Sequence, residues 1–294
     1  MLKRIDTPWL GERHGHLSDW VTQRWVEYTG QRVTLADHPW LDAATGRADG
    51  IGSSFFARYA RTHGLLFESG DPSAGLLEDF GALAGPGFDP SRVDPSVADF
   101  YERTGGFDLD AWAEWCGPFR PFGRLLQLLF SRRLQQLNVP LSSLDTSRGV
   151  TSEVVRLRDP TTGSVRITAW IRHLVRTGDV LYAGTYSIAR IPGHDGPCIK
   201  VAFPLPNGNA LVIMRPQAHE DGSLSVTSAG RRFGDPGFYF TIVDGPGRIV
   251  ARYVRSLRES IRVHPARNGE VHADHVLVLW GATFLRLHYR LRSR

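Results

Sequence analysis

From residue 151 onward the chain alternates apolar and polar residues in short runs, each ending at Gly, Pro, Asp or Asn. Period-two alternation puts successive side chains on opposite faces of an extended strand. The runs predict strands at 151–157, 165–174, 180–191, 198–203, 210–214, 224–228, 238–243, 258–264, 271–279 and 283–291. In the second run Ile167, Ala169, Ile171 and His173 share one face, and Arg166, Thr168, Trp170 and Arg172 share the other. In the last, Leu285, Leu287, Tyr289 and Leu291 oppose Arg286, His288 and Arg290. The breaks carry turn chemistry, including Asp159-Pro160-Thr161-Thr162-Gly163, Pro206-Asn207-Gly208-Asn209 and Ala266-Arg267-Asn268-Gly269. Successive hairpins predict an antiparallel meander that closes into a barrel or curls strongly. Segment 248–262 fits both periods, since Ile249, Tyr253, Leu257 and Ile261 recur every four residues. It is assigned a short helix followed by a strand.

The first half follows helical spacing instead. Trp20, Val21, Trp25 and Tyr28 suit a helix over 19–28, and Phe55, Phe56, Tyr59 and Ala60 one over 53–63 with Gly64 as its stop. Asp94-Pro95-Ser96-Val97 opens a helix whose Val97, Phe100 and Tyr101 lie on one side. Segment 108–115 reads as a further helix with Leu109, Trp112 and Ala113 on one face. The strongest periodicity is at 118–137, where Phe122, Leu125, Leu126, Leu129, Phe130, Leu134 and Leu137 form a stripe flanked by Arg120, Arg124, Arg132 and Arg133. Such a helix suits a sheet cover, or an anionic membrane surface. Residues 68–95, rich in Gly and Pro, read as an irregular loop over the surface that could close one mouth of a barrel. The fold class is therefore α+β: a helical and irregular region at 1–145 packed on an antiparallel barrel or curved sheet at 146–294, the two forming one or two domains.

Composition narrows the class. The 294 residues, 41% hydrophobic and 22% charged, suit a globular chain with a sizeable core. The net charge is +5, but Lys occurs only at Lys3 and Lys200, and the many Arg are interspersed with Asp and Glu. No nucleic-acid module accompanies them, so no nucleic-acid partner is expected. Cys116 and Cys198 are too few for a disulfide framework or a cysteine-rich metal site. The N-terminal residues lack a signal-peptide apolar core and no run of about 18 apolar residues occurs, which predicts a cytoplasmic chain.

Candidate chemistry is sparse. No G-x-S-x-G elbow, P-loop or dinucleotide fingerprint is present, and no cofactor is expected. Asp37-His38-Pro39 offers a His beside a carboxylate, but sequence neighbours point apart, and a turn is the simpler reading. In His272-Ala273-Asp274-His275, alternation splits the ligands across two faces, so no metal is assigned. Aromatic residues recur along the strands, and Tyr182 and Tyr186 share a face with Gly184 leaving room between them. The acid–base candidates are His173, Tyr186, Asp274 and His288; the ligand-binding candidates are Trp170, Tyr182, Tyr239, Trp280 and Arg286.

In texture the meander at 151–294 resembles a lipocalin-type barrel, although no motif carries family residues across. The resemblance implies an apolar ligand, and in some such barrels cyclisation or hydration within the lumen. The functional expectation is binding of a hydrophobic small molecule in the barrel, with scope for a cofactor-free isomerase or cyclase. The alternatives are a peripheral membrane-surface protein using 118–137, and a structural or interaction module without a ligand. The sequence implies no oligomeric state.

Overall fold

The computed structural model describes residues 17–46, 54–117, 119, 150–174 and 180–294. Apart from Phe119, the expected helix at 118–137 lies outside them. In chain order the described elements are α1 (Leu17–Thr29), β1 (Gln31–Thr34), α2 (Phe55–His63), β2 (Leu66–Glu68), α3 (Pro95–Glu102), β3 (Phe107–Trp115), β4 (Val150–Arg158), β5 (Val165–Leu174), β6 (Val180–Ala189) and β7 (Cys198–Leu205). They continue with β8 (Gly208–Ala218), β9 (Leu224–Thr227), β10 (Phe238–Val243), β11 (Arg248–Tyr253), β12 (Leu257–Pro265), β13 (Val271–Leu279) and β14 (Ala282–Ser293).

Ten of these strands close a ring in the order β3-β4-β5-β6-β7-β8-β9-β12-β13-β14, with β14 returning to β3. Every pairing in the ring is antiparallel. β8 forks: its first half pairs with β10 from Gly208↔Ile242 to Val212↔Phe238, and its second half with β9 from Arg215↔Thr227 to Ala218↔Leu224. β10, β11 and β1 therefore form a flap beside the ring, and β2 adds to β4. Strands β1, β2 and β3 all come from the region upstream of residue 145 and are hydrogen-bonded into the same sheet.

Two local readings are corrected. Segment 108–115 is not a helix but β3, which runs beside β14 from Phe107↔Ser293 to Trp115↔Leu285. Its alternation is regular: Phe107, Leu109 and Ala111 are buried while Asp108, Trp112 and Glu114 are exposed. Ala at two positions of a nine-residue run made helical spacing look plausible. Segment 248–253 is also a strand, because its neighbours supply the ladder: Ile249 faces Val33 of β1 and Val243 of β10.

Turn chemistry closes the hairpins as the sequence predicts. Asp159 accepts the Thr161 and Thr162 amides, and Asn207 and Asn268 take left-handed backbone conformations at φ 59° and 62°. Gly208 allows β10 to approach closely, since a Cβ there would lie 1.9 Å from the Thr241 carbonyl oxygen. Gly64 ends α2 with a left-handed cap at φ 65°.

The barrel is covered outside and plugged at one end. α2 buries Phe55, Phe56 and Ala60 on the outward face of β4 to β6, against Val155, Leu157, Ala169 and Ile171. The 39–44 loop lays Trp40 and Leu41 on Ile213, Tyr239 and Ala251. α1 packs Val26 on Ile242 and Val250 while exposing Val21 and Tyr28.

The 68–95 segment is not draped over the surface. It buries Leu76, Leu77, Phe80, Leu83, Phe88 and Val93 together with Phe100 and Tyr101 of α3, and this cluster is continuous with the lumen residues. Its shape comes from a repeated device, Asp-Pro-Ser at 71–73, 89–91 and 94–96. In each, the Asp side chain accepts both the amide and the hydroxyl of the Ser. A loop so capped satisfies its own polar groups and can turn its apolar side chains into the barrel end.

Candidate functional site

Inside the ring lies a cavity of about 540 Å³, within the usual range of small-molecule sites. Its wall follows from strand alternation. Ile199, Val201 and Phe203 of β7, Val212 and Met214 of β8, Leu277 of β13, and Leu285 and Leu287 of β14 point inward. Asp19, Thr22, Gln23 and Val26 of α1 line it on the flap side, where Gln23 Nε2 donates to the Pro206 carbonyl at 3.1 Å. Phe100, Tyr101 and Leu76 of the plug also contribute.

One belt of this apolar wall is polar. Trp170 and Arg172 of β5, Tyr182 and Tyr186 of β6, Tyr289 of β14, His275 of β13 and Glu259 of β12 all face the lumen. The Arg172 guanidinium lies 3.6 Å from the Trp170 ring centroid, 4.6 Å from that of Tyr182 and 5.2 Å from that of Tyr289, and it also engages the Tyr289 hydroxyl. The Trp170 indole donates to Ser152 Oγ at 2.6 Å. Tyr182 donates its hydroxyl to that of Tyr186 at 3.1 Å. Gly184 fits between them because a Cβ there would come within 2.8 Å of the Tyr182 hydroxyl oxygen and 3.1 Å of the Phe203 ring. His275 Nε2 is 3.3 Å from Glu259 Oε2, with Glu259 buried and His275 partly buried.

Burial sets the protonation of the tyrosines. It raises Tyr182 well above the usual phenol range, with the nearby Tyr186 adding to the effect. It pushes Tyr186 up to about 12, against the opposing pull of Arg172. Tyr289 is raised for the same reason and opposed by the same guanidinium. All three remain neutral hydroxyl donors at ordinary pH. Arg172 supplies the guanidinium of the belt, with five N–H donors in a fixed fork.

Of the residues singled out from sequence, Trp170, Tyr182 and Tyr186 meet in this belt. The others are elsewhere. His173 follows a register shift between Arg172 and His173 and is not in the cavity wall. Asp274 and His288 face each other on β13 and β14 and hydrogen-bond at 2.6 Å, but half-exposed and outside the barrel. Arg286 is also outside, 3.6 Å from Glu114. Trp280 sits in the β13–β14 turn at φ 50° and is 78% exposed. Tyr239 is fully buried beneath Trp40 on the outer face of β10, where its hydroxyl donates to the Asp235 carbonyl at 2.5 Å.

Arg172, Glu259, His275 and Tyr289 complete the belt and are not among the sequence candidates. Alternation already carried the signal: Arg172 shares a face with Trp170, Glu259 with Ile261 and Val263, His275 with Ala273 and Leu277, and Tyr289 with Leu285 and Leu287. The His272–His275 cluster is divided by the sheet, with His272 beside Glu270 and His275 beside Glu259. Among the described residues no three His, Cys, Asp or Glu side chains group as a metal site.

No protein-family model matches the chain, and no solved structure matches it. It is similar to a Bacillus subtilis (strain 168) protein named uncharacterized membrane protein YndJ, 27% identical over 243 residues. The match covers 82% of this chain and 41% of that protein, so the chain spans less than half of its relative's length. Among the described residues no helix is long and apolar enough to cross a membrane.

Proposed function

We propose that this protein binds one predominantly apolar small molecule inside its barrel. The observation that carries the reading is the cavity of about 540 Å³ with an aliphatic and aromatic wall and its polar groups gathered in one belt. Apolar wall area removed from water on binding supplies the affinity, and a few placed polar groups supply the orientation.

An uncharged fluorophore such as N-phenyl-naphthylamine tests this directly. The folded chain takes it up saturably at one site, with enhanced emission. Val212→Trp and Ala273→Phe, which place bulk in the cavity wall, abolish the uptake. Absence of saturable uptake by the folded wild-type chain overturns the reading.

A second reading, cofactor-free isomerisation or cyclisation, rests on the partly buried His275–Glu259 pair facing the same lumen as the tyrosine hydroxyls. A carboxylate-oriented imidazole moves protons, and enclosed hydroxyls stabilise developing negative charge. The proton-transfer step exchanges a bound ligand's C–H hydrogen with solvent. Deuterium incorporation in heavy water that is lost in Glu259→Gln supports turnover. Its absence for every ligand that binds leaves a carrier rather than an enzyme.

A further inference from the structure

We propose that the cavity ligand carries a single carboxylate, and that Arg172 receives it together with the hydroxyls of Tyr186 and Tyr289. This deepens the cavity-binding reading and rests on it.

The argument starts from an incomplete guanidinium. Arg172 is 6% exposed, and its Nε–H has no hydrogen-bond partner. Among the described residues no carboxylate forms an ion pair with it. Glu259, the carboxylate of the same belt, is paired with His275. Glu259 stands on β12, on the opposite side of the ten-strand ring from β5, and although its charge reaches the same tyrosines it forms no ion pair with Arg172. Isolated charge is expensive to bury, by several kcal/mol per ion even after relaxation. The faces of Trp170, Tyr182 and Tyr289 offset part of that cost through the attraction of a cation to aromatic rings. Ring faces accept no N–H bond in the plane of the guanidinium, and the Tyr289 hydroxyl meets only part of its fork while Nε–H stays unpaired. Arg presents five N–H donors in a fixed fork, and the belt leaves part of that fork to be satisfied by something else in the lumen.

A planar anion with two oxygens fits what remains. Paired with a carboxylate, a guanidinium forms two parallel charge-assisted hydrogen bonds, a geometry that a lone hydroxyl or ether oxygen does not provide. The tyrosines complete the shell. Tyr182 spends its proton on Tyr186, which leaves the Tyr186 hydroxyl hydrogen free to donate. Ile199, Val201, Val212, Met214, Leu277 and Leu287 make the rest of the wall apolar, so the remainder of the molecule is hydrocarbon. Charge at one end and hydrocarbon beyond describes an apolar acid of the fatty or isoprenoid type.

A matched set of competitors tests the head group separately from the cavity. The chain of 294 residues is loaded with N-phenyl-naphthylamine and titrated with palmitic acid, hexadecanol and hexadecyl phosphate. Wild type releases the probe to the acid at least about tenfold more readily than to the alcohol, the size expected for a hydrogen bond to a charged group. Arg172→Met levels acid and alcohol while still taking up the probe, and Arg172→Lys restores part of the preference. The wild-type comparison needs no variant, so it stands if Arg172→Met does not fold. Equal competition by acid and alcohol in wild type overturns the carboxylate proposal and leaves the cavity reading intact. Preference for the phosphate over the acid overturns the carboxylate in favour of another anion. Failure of the probe itself to bind overturns both readings.

Discussion

Arg172 and Trp170 sit two residues apart on β5, and the guanidinium of the first lies 3.6 Å from the ring centroid of the second. An i, i+2 pair on a strand shares a face, so both side chains enter the lumen and the indole becomes a floor for the charge. Ser152 on the adjacent strand fixes the indole by accepting its N–H. Ser152→Ala leaves that donor unpaired in the wall and costs about 1–3 kcal/mol, read as a lower urea midpoint at unchanged slope. It also weakens acid-over-alcohol preference, because the floor beneath Arg172 is no longer held.

Gly184→Ala forces the Tyr182 ring to move, since the new Cβ meets both its hydroxyl oxygen and Phe203. Overpacking of this kind costs about 1–3 kcal/mol. The Tyr182–Tyr186 hydrogen bond is lost with the displacement, so probe affinity falls together with stability. An unchanged denaturation midpoint and unchanged affinity would contradict the packing described.

β3 is tested by two residues that a helix would place on one face. Leu109 is 3% exposed and Trp112 is 44% exposed. Leu109→Ala therefore costs about 2–5 kcal/mol, whereas Trp112→Ala stays within about 0.5 kcal/mol. Chemical denaturation of the two variants separates strand from helix, because a helical segment would make both costly.

Alkaline pH removes stability through the buried phenols. Unfolded tyrosine ionises near pH 10, whereas Tyr186 in the fold holds its proton up to about 12, and Tyr182 and Tyr289 are raised as well. A folded pKa above the unfolded one gives stability that is complete below pH 10 and lost as pH rises through the folded value. Each such tyrosine removes roughly 1.4 kcal/mol per pH unit within that window. Urea midpoints measured from pH 9 to 12 fall in this way, and Tyr186→Phe flattens the slope. A midpoint constant across the window would mean the rings are solvated.

The Asp274–His288 pair, though short, lies half-exposed on the outer face. Exposed ion pairs contribute little. Asp274→Asn and His288→Ala each change stability by less than about 1 kcal/mol and leave probe uptake unaltered. Loss of binding in either variant would place function on the outside of the barrel.

The hairpins were legible because their signals are local. Asp159–Gly163, Asn207-Gly208 and Asn268-Gly269 set backbone conformations within a few residues, whatever the rest of the chain does. Inward and outward faces were legible as pairs of alternatives, with Tyr182 and Tyr186 on one face of β6 and Trp170 with Arg172 on one face of β5. Which alternative points inward was not, because both faces of β5 are buried, the one bearing Trp170 and Arg172 as well as the apolar one bearing Ala169 and Ile171. One packs on α2 and the other fills the lumen. Asp274 and His288 are candidates by chemical type alone, yet the strand's alternation turns them to solvent and turns their neighbours His275 and Tyr289 inward.

By itself the sequence determined an antiparallel meander, its turns and the two faces of each strand, since a period of two and a turn residue act over a few positions. Tertiary structure decided the rest. Closure depends on β3 meeting β14 across some 180 residues of chain, and no local pattern carries that distance. The 68–95 loop became a plug rather than a surface strap because the open barrel end offered its leucines and phenylalanines a place out of water. The polar belt gathers residues from β5, β6, β12, β13 and β14; Tyr182 reaches Arg172 as its partner across the β5–β6 hairpin, whereas only the closed ring brings Tyr289 to it in one lumen.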